Sequence, residues 1–217
     1  MLRPASVSFS RVIMHSPTLR AMNETEELLR AALTKVPPGL AEHVLRVTDE
    51  ALRLADIHGV DREAAKIAAL GHDLLRGISG ERLLGICDDQ NYAADAVDRM
   101  EPILLHGPLA VQILREQYKV LDADVLGAVA AHTTARPGMT RLQKLIFVAD
   151  KIEPHKMGGR PPVIRVGDLA ESDLDAAMLA YLEYYIAFAL ESAWPLHPNT
   201  IATRNELIAA ARAAGAK

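Results

Sequence analysis

Residues 140–154 read TRLQKLIFVADKIEP, and this stretch indicates an α-helix with a polar residue on its apolar side. Its apolar residues recur three and four positions apart, at Leu142, Leu145, Ile146 and Ala149. That spacing places them on one face of a helix, and Thr140 is a favourable N-cap residue. The apolar run ends directly on Asp150, where a continuing core would need another apolar side chain.

The same helical pattern continues on both sides of this stretch. Ala and Leu dominate and aromatic residues make up only 4% of the chain, a composition that favours helix over strand. We expect further helices over about residues 23–35, 40–58, 62–76, 108–118, 122–134, 174–192 and 199–214. Residues suited to N-caps stand at the start of several of them, at Asn23, Asp61 and Asp122, and Ser79 is a weaker cap for another helix that follows Gly77. Residues 158–167, rich in Gly and Pro, are predicted to form a loop.

These elements predict an all-α protein, a single-domain helical bundle over residues 23–217. Residues 1–22 contain three arginines and several serines but no acid, which resembles a transit peptide. No small-residue cleavage pattern follows, so we interpret them as a disordered or mis-assigned extension, with Met14 or Met22 as alternative starts.

The bulk composition excludes several functional classes. A net charge of -4 and a pI near 6.1 leave no basic footprint for nucleic acid. No apolar run approaches the roughly 20 residues of a membrane-spanning helix, so we expect no membrane partner. Cys87 is the single cysteine, which precludes an internal disulfide and favours a reducing, cytoplasmic compartment.

Ionisable residues within apolar helical stripes are the informative feature of the sequence. His132 continues the stripe of Val125 and Val129, where a core residue would be expected. His72 and Asp73 end an Ala-rich helix. A buried carboxylate without a cation costs several kcal/mol, and few Lys or Arg stand nearby in the sequence. A divalent metal would satisfy imidazoles and carboxylates together.

A single histidine on an apolar face is more often a hydrogen-bonded core residue than a metal ligand, and an isolated His-Asp pair is weak evidence. Several such positions on separate helices, in the order His, His-Asp, His, His, Asp, form a much more specific pattern. The candidate metal ligands are therefore His43, His72, Asp73, His106, His132 and Asp150.

From about residue 38 to residue 207, the chain resembles the HD-domain phosphohydrolases, and within them the YqeK-type symmetrical diadenosine tetraphosphatases. The resemblance is carried by GHD at 71–73, LHGP at 105–108, AHTTARPGM at 131–139, FVADKIEP at 147–154 and HPNTIATRN at 197–205. The His-Thr-Thr and Ala-Asp-x-Ile-Glu-Pro segments are far more specific than the His-Asp pair alone.

The resemblance implies a metal held by the first His, the His-Asp pair and the last Asp, which correspond to His43, His72, Asp73 and Asp150. It makes His106 and His132 ligands of a second metal bridged by the first Asp, or alternatively phosphate contacts beside a single metal. Iron is the metal that the resemblance suggests, as one or two ions, and Mn, Co, Ni or Zn would also suit these ligands.

The implied reaction is hydrolysis of diadenosine tetraphosphate to two ADP by a metal-activated water, with Asp73 and Arg76 as catalytic residues. The candidate substrate contacts are Arg76, Gly107, Thr133, Arg136, Lys156 and Arg204. Two of these depart from the family pattern, since Arg76 stands where Lys is usual and Lys156 where Arg is usual. The substitutions leave the candidate ligands intact and bear on substrate preference.

Two alternatives remain open at the level of sequence. One is an HD-domain phosphohydrolase for another nucleotide, such as a nucleoside monophosphate, a cyclic dinucleotide or an alarmone. The other is a non-catalytic nucleotide-binding module, which the presence of all six candidate ligands disfavours. The expected partner is a small-molecule nucleotide, and a homodimer is compatible with the sequence.

Overall fold

The computed structural model describes residues 17–157 and 161–215, and all regular structure in these ranges is helical, which confirms the predicted all-α class. Its elements are α1 (Pro17–Leu33), α2 (Pro38–His58), α3 (Arg62–Gly71), α4 (Gly80–Asp89), α5 (Ala96–Met100), a 3-10 helix (Pro102–Leu105), α6 (His106–Gln117), α7 (Ala123–Ala131), α8 (Arg141–Ile152), α9 (Pro154–Met157), α10 (Pro161–Ala170), α11 (Leu174–Glu191) and α12 (Pro198–Gly215).

Helix α8 lies at the centre of the bundle and presents Asp150 to the core. It packs against α2, α3, α7, α10 and α11. Leu145, Ile146 and Phe147 are completely buried on it, and Asp150 is also buried. Because neighbouring helices cover α8 on several sides, its apolar run anchors the core, and Asp150 must find polar partners inside it.

Local signals account for several helix ends. The side chains of Asp61, Ser79 and Asp122 accept hydrogen bonds from backbone amides in the first turns of α3, α4 and α7, as predicted. Thr140 does the same for α8. Gly59 ends α2 with φ 63°, a left-handed conformation that glycine adopts without a steric penalty.

Two elements differ from the sequence prediction. The predicted loop at 158–167 is wrong over residues 161–167, because α10 begins at Pro161 and buries Val163 and Val166. Proline is tolerated in the first turn of a helix, where its missing amide proton would have no partner. Helix α1 begins at Pro17, so Asn23 lies within it and is not its cap. Of the predicted extension at residues 1–22, positions 1–16 lie outside the described residues, and positions 17–22 belong to α1.

The buried apolar residues form one cluster that extends from Leu29 in α1 to Leu207 in α12. The pairs α1 and α3, α2 and α8, and α11 and α12 all contribute contacts. None of the helices described here combines the length and the apolar character required to cross a membrane.

Candidate metal centre

The six candidate ligands come together at one buried site. They are His43 in α2, His72 and Asp73 directly after α3, His106 at the start of α6, His132 directly after α7, and Asp150 in α8. All six side chains are buried. Residues spread over more than 100 positions of sequence therefore meet inside the bundle, where ionisable groups need mutual compensation.

Three of the four histidines share one backbone hydrogen bond. In His72, His106 and His132, the Nδ1 atom lies 2.6, 2.5 and 2.7 Å from the carbonyl oxygen three residues earlier in the chain. A carbonyl only accepts, so Nδ1 carries the proton and a neutral ring has its lone pair on Nε2. This is the tautomer that a metal-ligating histidine requires when it binds through Nε2.

His43 is oriented by a carboxylate instead. Its Nδ1 lies 3.1 Å from Oε1 of Glu153, while its Nε2 lies 3.1 Å from Oδ1 of Asp150. The other oxygen of Glu153 accepts a hydrogen bond from Nε of Arg46 at 2.8 Å. Burial would raise the pKa of Glu153, but bonds from Arg46, the His155 amide and His43 lower it to about 2. Glu153 is therefore ionised and holds the His43 ring.

Asp73 lies between two pairs of histidines. Its Oδ2 atom is 3.6 Å from Nε2 of His43 and 3.5 Å from Nε2 of His72. Its Oδ1 atom is 3.0 Å from Nε2 of His106 and 3.4 Å from Nε2 of His132. Burial would raise the pKa of Asp73, but these neighbours outweigh it and hold the carboxyl well below its usual range. Asp73 can therefore bridge two groups of ligands as a carboxylate.

The donor atoms of this site fit a divalent cation. Nε2 of His72 is fully buried and has no hydrogen-bond partner among the described residues, an arrangement that costs free energy unless something binds it. Burial lowers the pKa of His72, and it lowers that of His132 to about 3, so these rings are neutral near pH 7. Two overlapping groups of residues each bring their ligand atoms within 4.8 Å of one another. One group is His43, His72 and Asp150, and the other is His72, Asp73 and His132.

A cavity of about 280 Å³ opens onto the ligands. Arg76 lines it as an exposed cation, and it has no carboxylate partner within salt-bridge distance in the described part of the chain. Thr133 also lines it, with Oγ1 3.0 Å from Nε2 of His132. The cavity thus joins metal-ligating atoms to a cation and a hydroxyl, a combination suited to a phosphate ester.

The family model of the HD domain matches residues 40–155, more than half of the chain. That range contains every ligand candidate described above. The chain belongs to the HD domain family. The arrangement of His43, the His72–Asp73 pair and Asp150 agrees with an HD domain that holds a divalent metal.

Relatives of this HD domain protein carry one repeated description. A protein described as bis(5'-nucleosyl)-tetraphosphatase, symmetrical, from Halalkalibacterium halodurans is 35% identical over 82% of this chain and 95% of its own length. A protein of the same description from Bacillus subtilis is 35% identical over 76% of this chain and 88% of its own.

Among solved structures, the chain resembles a predicted HD superfamily hydrolase involved in NAD metabolism from Clostridium acetobutylicum. The TM-score is 0.80 at 35% identity, over 84% of this chain and 96% of the other.

Four residues that line the HD domain cavity are not among the predicted site residues: Lys151, Val163, Tyr181 and Tyr184. Nζ of Lys151 lies 2.7 Å from Oδ2 of Asp150 and donates to the carbonyl oxygen of His132 at 3.1 Å. Tyr181 and Tyr184 line the same cavity from α11. The sequence could have indicated Lys151, because it directly follows Asp150. The tyrosines reach the cavity only because α11 packs on α8.

Four predicted substrate contacts are not among the residues that line this cavity, and the side chain of one of them lies outside the described residues. Arg136 lines a separate cavity of about 720 Å³ and donates to Oε1 of Gln143 at 2.7 Å. Arg204 pairs with a glutamate on α11, at 2.9 Å. Gly107 is buried where α6 meets α7, and a Cβ atom on it would lie 2.6 Å from a carbonyl oxygen. The side chain of Lys156 lies outside the described residues.

Proposed function

We propose that this chain hydrolyses diadenosine tetraphosphate symmetrically to two ADP. The observation that carries the proposal is the position of Asp73, whose two carboxylate oxygens face separate pairs of buried histidine Nε2 atoms beside a cavity lined by cations. Relatives described as symmetrical tetraphosphatases, 31 to 35% identical over most of the chain, support the substrate.

Two sets of residues that share Asp73 would hold one or two metal ions. The first set is His43, His72, Asp73 and Asp150, and the second is Asp73, His106 and His132. A divalent ion there supplies Lewis-acid chemistry, which activates water at neutral pH and offsets charge on phosphate oxygens. We propose iron as that metal, and the mixed nitrogen and oxygen ligands also accept Mn, Co, Ni or Zn.

The chain's own residues would bind and orient the polyphosphate. Arg76 at the cavity mouth offers a planar fork of donors to phosphate oxygens. Lys151 lines the same cavity, with its Nζ held by Asp150 and by the backbone of His132, and it would place a positive charge beside the phosphates. Thr133 adds a neutral hydroxyl donor. Asp73, held ionised, can accept a hydrogen bond from the attacking water and so orient it.

Symmetrical cleavage requires attack at one of the two central phosphorus atoms. The oxygen of water forms a new P–O bond there, and the bond from that phosphorus to the central bridging oxygen breaks. The leaving ADP keeps the bridging oxygen, and the other ADP takes the oxygen of water. ADP is then the sole nucleotide product, whereas asymmetrical cleavage would release ATP and AMP.

Product analysis tests the proposal directly. Anaerobically purified protein is analysed for bound metals, and the same sample is incubated with diadenosine tetraphosphate and separated by chromatography. We expect bound transition metal and ADP alone. ATP with AMP, or no turnover by metal-loaded protein that does cleave another nucleotide, would contradict the proposed substrate. Asp73→Ala is the matched variant, and it should remove turnover while circular dichroism still reports the helical fold.

A further inference from the structure

The aromatic residues of this chain are concentrated beside the cavity. Of five Tyr, three Phe and one Trp in the sequence, five lie within residues 181–194: Tyr181, Tyr184, Tyr185, Phe188 and Trp194. The rest of the chain is poor in aromatic residues, which are 4% of the total. Four of the five form what is called here the aromatic row: Tyr181, Tyr184, Phe188 and Trp194.

The rings of the aromatic row contact one another in order. Ring centroids lie 6.3 Å apart for Tyr181 and Tyr184, 6.4 Å for Tyr184 and Phe188, and 5.3 Å for Phe188 and Trp194. These spacings are those of interacting aromatic pairs. Because Tyr181 and Tyr184 line the metal cavity, the row leads from the cavity to the surface of the protein.

Core packing accounts for the start of the row but not for its end. Helix α11 buries Met178, Leu182 and Ala189 against its neighbours. Phe188 and Trp194, in contrast, are 37% and 56% exposed. Large apolar rings that are exposed to water do not gain the free energy of burial. An exposed row of rings next to a cavity therefore indicates a binding surface.

The size and chemistry of the cavity indicate what binds there. At about 280 Å³ it is at the lower limit for a drug-sized ligand, so it can hold phosphates but not a whole dinucleoside tetraphosphate. The nucleosides must extend out of it. Aromatic side chains are the usual platforms for nucleobases, since every base presents a π-face.

We propose that the outer part of the aromatic row, Tyr184, Phe188 and Trp194, stacks against an adenine base of the dinucleotide while the cavity holds its phosphates. The inference rests on the proposed function for the identity of the substrate. It assigns base binding to α11 and the segment after it, and phosphate binding to the cavity residues Arg76 and Lys151. Tyr181 supports Tyr184 from the cavity side.

The fluorescence of Trp194 tests the proposal without turnover. Trp194 is the single tryptophan of the sequence, so its emission reports on the outer end of the row. The metal-loaded protein is titrated with ADP and, separately, with inorganic pyrophosphate, which has the same two phosphates without adenosine. We expect saturable quenching by ADP and none by pyrophosphate. Equal responses, or no response to ADP, would overturn the proposal even if the chain cleaves diadenosine tetraphosphate.

Steady-state kinetics tests stacking against simple apolar packing. Phe188→Leu should raise KM for diadenosine tetraphosphate about tenfold with little change in kcat. Phe188→Tyr, which keeps an aromatic ring, should have the KM of the wild type. Leu190→Ala is the control, because Leu190 is 68% exposed on the same helix but lies outside the row. Inhibition by pyrophosphate should be the same in all four proteins.

Two results would contradict base stacking. An unchanged KM in Phe188→Leu would show that the ring does not contact substrate. A concentration-dependent dimer that Phe188→Leu dissociates, with KM unchanged, would instead assign the exposed rings to contact with a second copy of the chain, and sedimentation velocity detects that outcome.

Discussion

The Nε2 atoms of His106 and His132 lie 2.9 Å apart, although each ring already donates its Nδ1 proton to a backbone carbonyl. Two neutral rings in this tautomer would present lone pairs to each other, which is repulsive unless a cation or proton intervenes. Since burial lowers the pKa of His132 to about 3, protonation of that ring is unfavourable near neutral pH. The pair is therefore better suited to a metal ion than to a direct hydrogen bond.

This relationship predicts the effect of His106→Ala on metal content. If the pair belongs to a second metal site, the purified variant should hold one ion fewer per chain than wild type, as measured by elemental analysis. Turnover should fall at least about a hundredfold, since a direct ligand is lost. The first group of ligands, around His43, should keep its ion.

His58→Ala is the control for that experiment, because the imidazole of His58 hydrogen-bonds to the backbone oxygen of Ala170, away from the site. It should leave the metal content unchanged. An unchanged metal content in His106→Ala, together with lost turnover, would instead assign His106 to contact with phosphate beside a single ion.

Glu153→Gln should weaken metal binding without removing a ligand. The ionised Glu153 accepts from His43 Nδ1 and from Arg46 Nε, and it thereby holds the imidazole in the ligand tautomer. Replacing such a partner typically costs about 10- to 100-fold in metal affinity. Competition with a chelator of known affinity measures the loss. Asp49→Asn, at an exposed position of the same helix as His43, should bind metal like wild type.

The residues of the buried His/Asp cluster could be predicted because their signal is local. Asp150 ends an apolar run and His132 occupies a core position of a helical stripe, and both features are visible within a few residues. Helix caps such as Asp61 and Thr140 are equally local, since the side chain bonds to an amide three residues later. Burial of these polar groups then follows from the helix faces to which they belong.

Features that depend on side-chain direction or on packing between helices could not be predicted in this way. Arg136 stands in a motif beside His132, yet its side chain turns to Gln143 and a different cavity. Tyr184 reaches the metal cavity only because α11 packs against α8 and α10. The Pro161–Pro162 pair is compatible with a loop or with the start of a helix, because proline both breaks helices and begins them, and here it begins α10.

Asp98→Asn should lower thermal stability at neutral pH but not in acid. Burial would raise the pKa of Asp98, but hydrogen bonds from His197 and the Asp95 amide lower it. A depressed pKa means that the carboxylate stabilises the fold above its unfolded pKa of about 3.9, and that this contribution is lost as the pH falls further. The difference in Tm between wild type and variant should therefore be largest near pH 7 and shrink towards pH 3.

Differential scanning calorimetry at several pH values measures this dependence. Asp89→Asn, which changes an exposed carboxylate at the end of α4, is the control and should show little difference at any pH. A Tm difference for Asp98→Asn that persists unchanged at pH 3 would mean that the carboxylate charge does not contribute.

Gly107→Ala should destabilise the protein because α6 and α7 meet too closely at this position for a side chain. A Cβ atom on Gly107 would lie 2.6 Å from the backbone oxygen of Val129 and 3.1 Å from the ring of His132. Backbone cannot give way as a flexible side chain can, so we expect a loss of about 1–3 kcal/mol in the free energy of unfolding. Urea denaturation followed by circular dichroism measures it.

Gly85→Ala is the matched control, since Gly85 lies within α4 with nothing within 4 Å of an added Cβ. It should stabilise the protein by about 0.5–1 kcal/mol through helix propensity, and equal effects of the two substitutions would refute the close approach of α6 to α7.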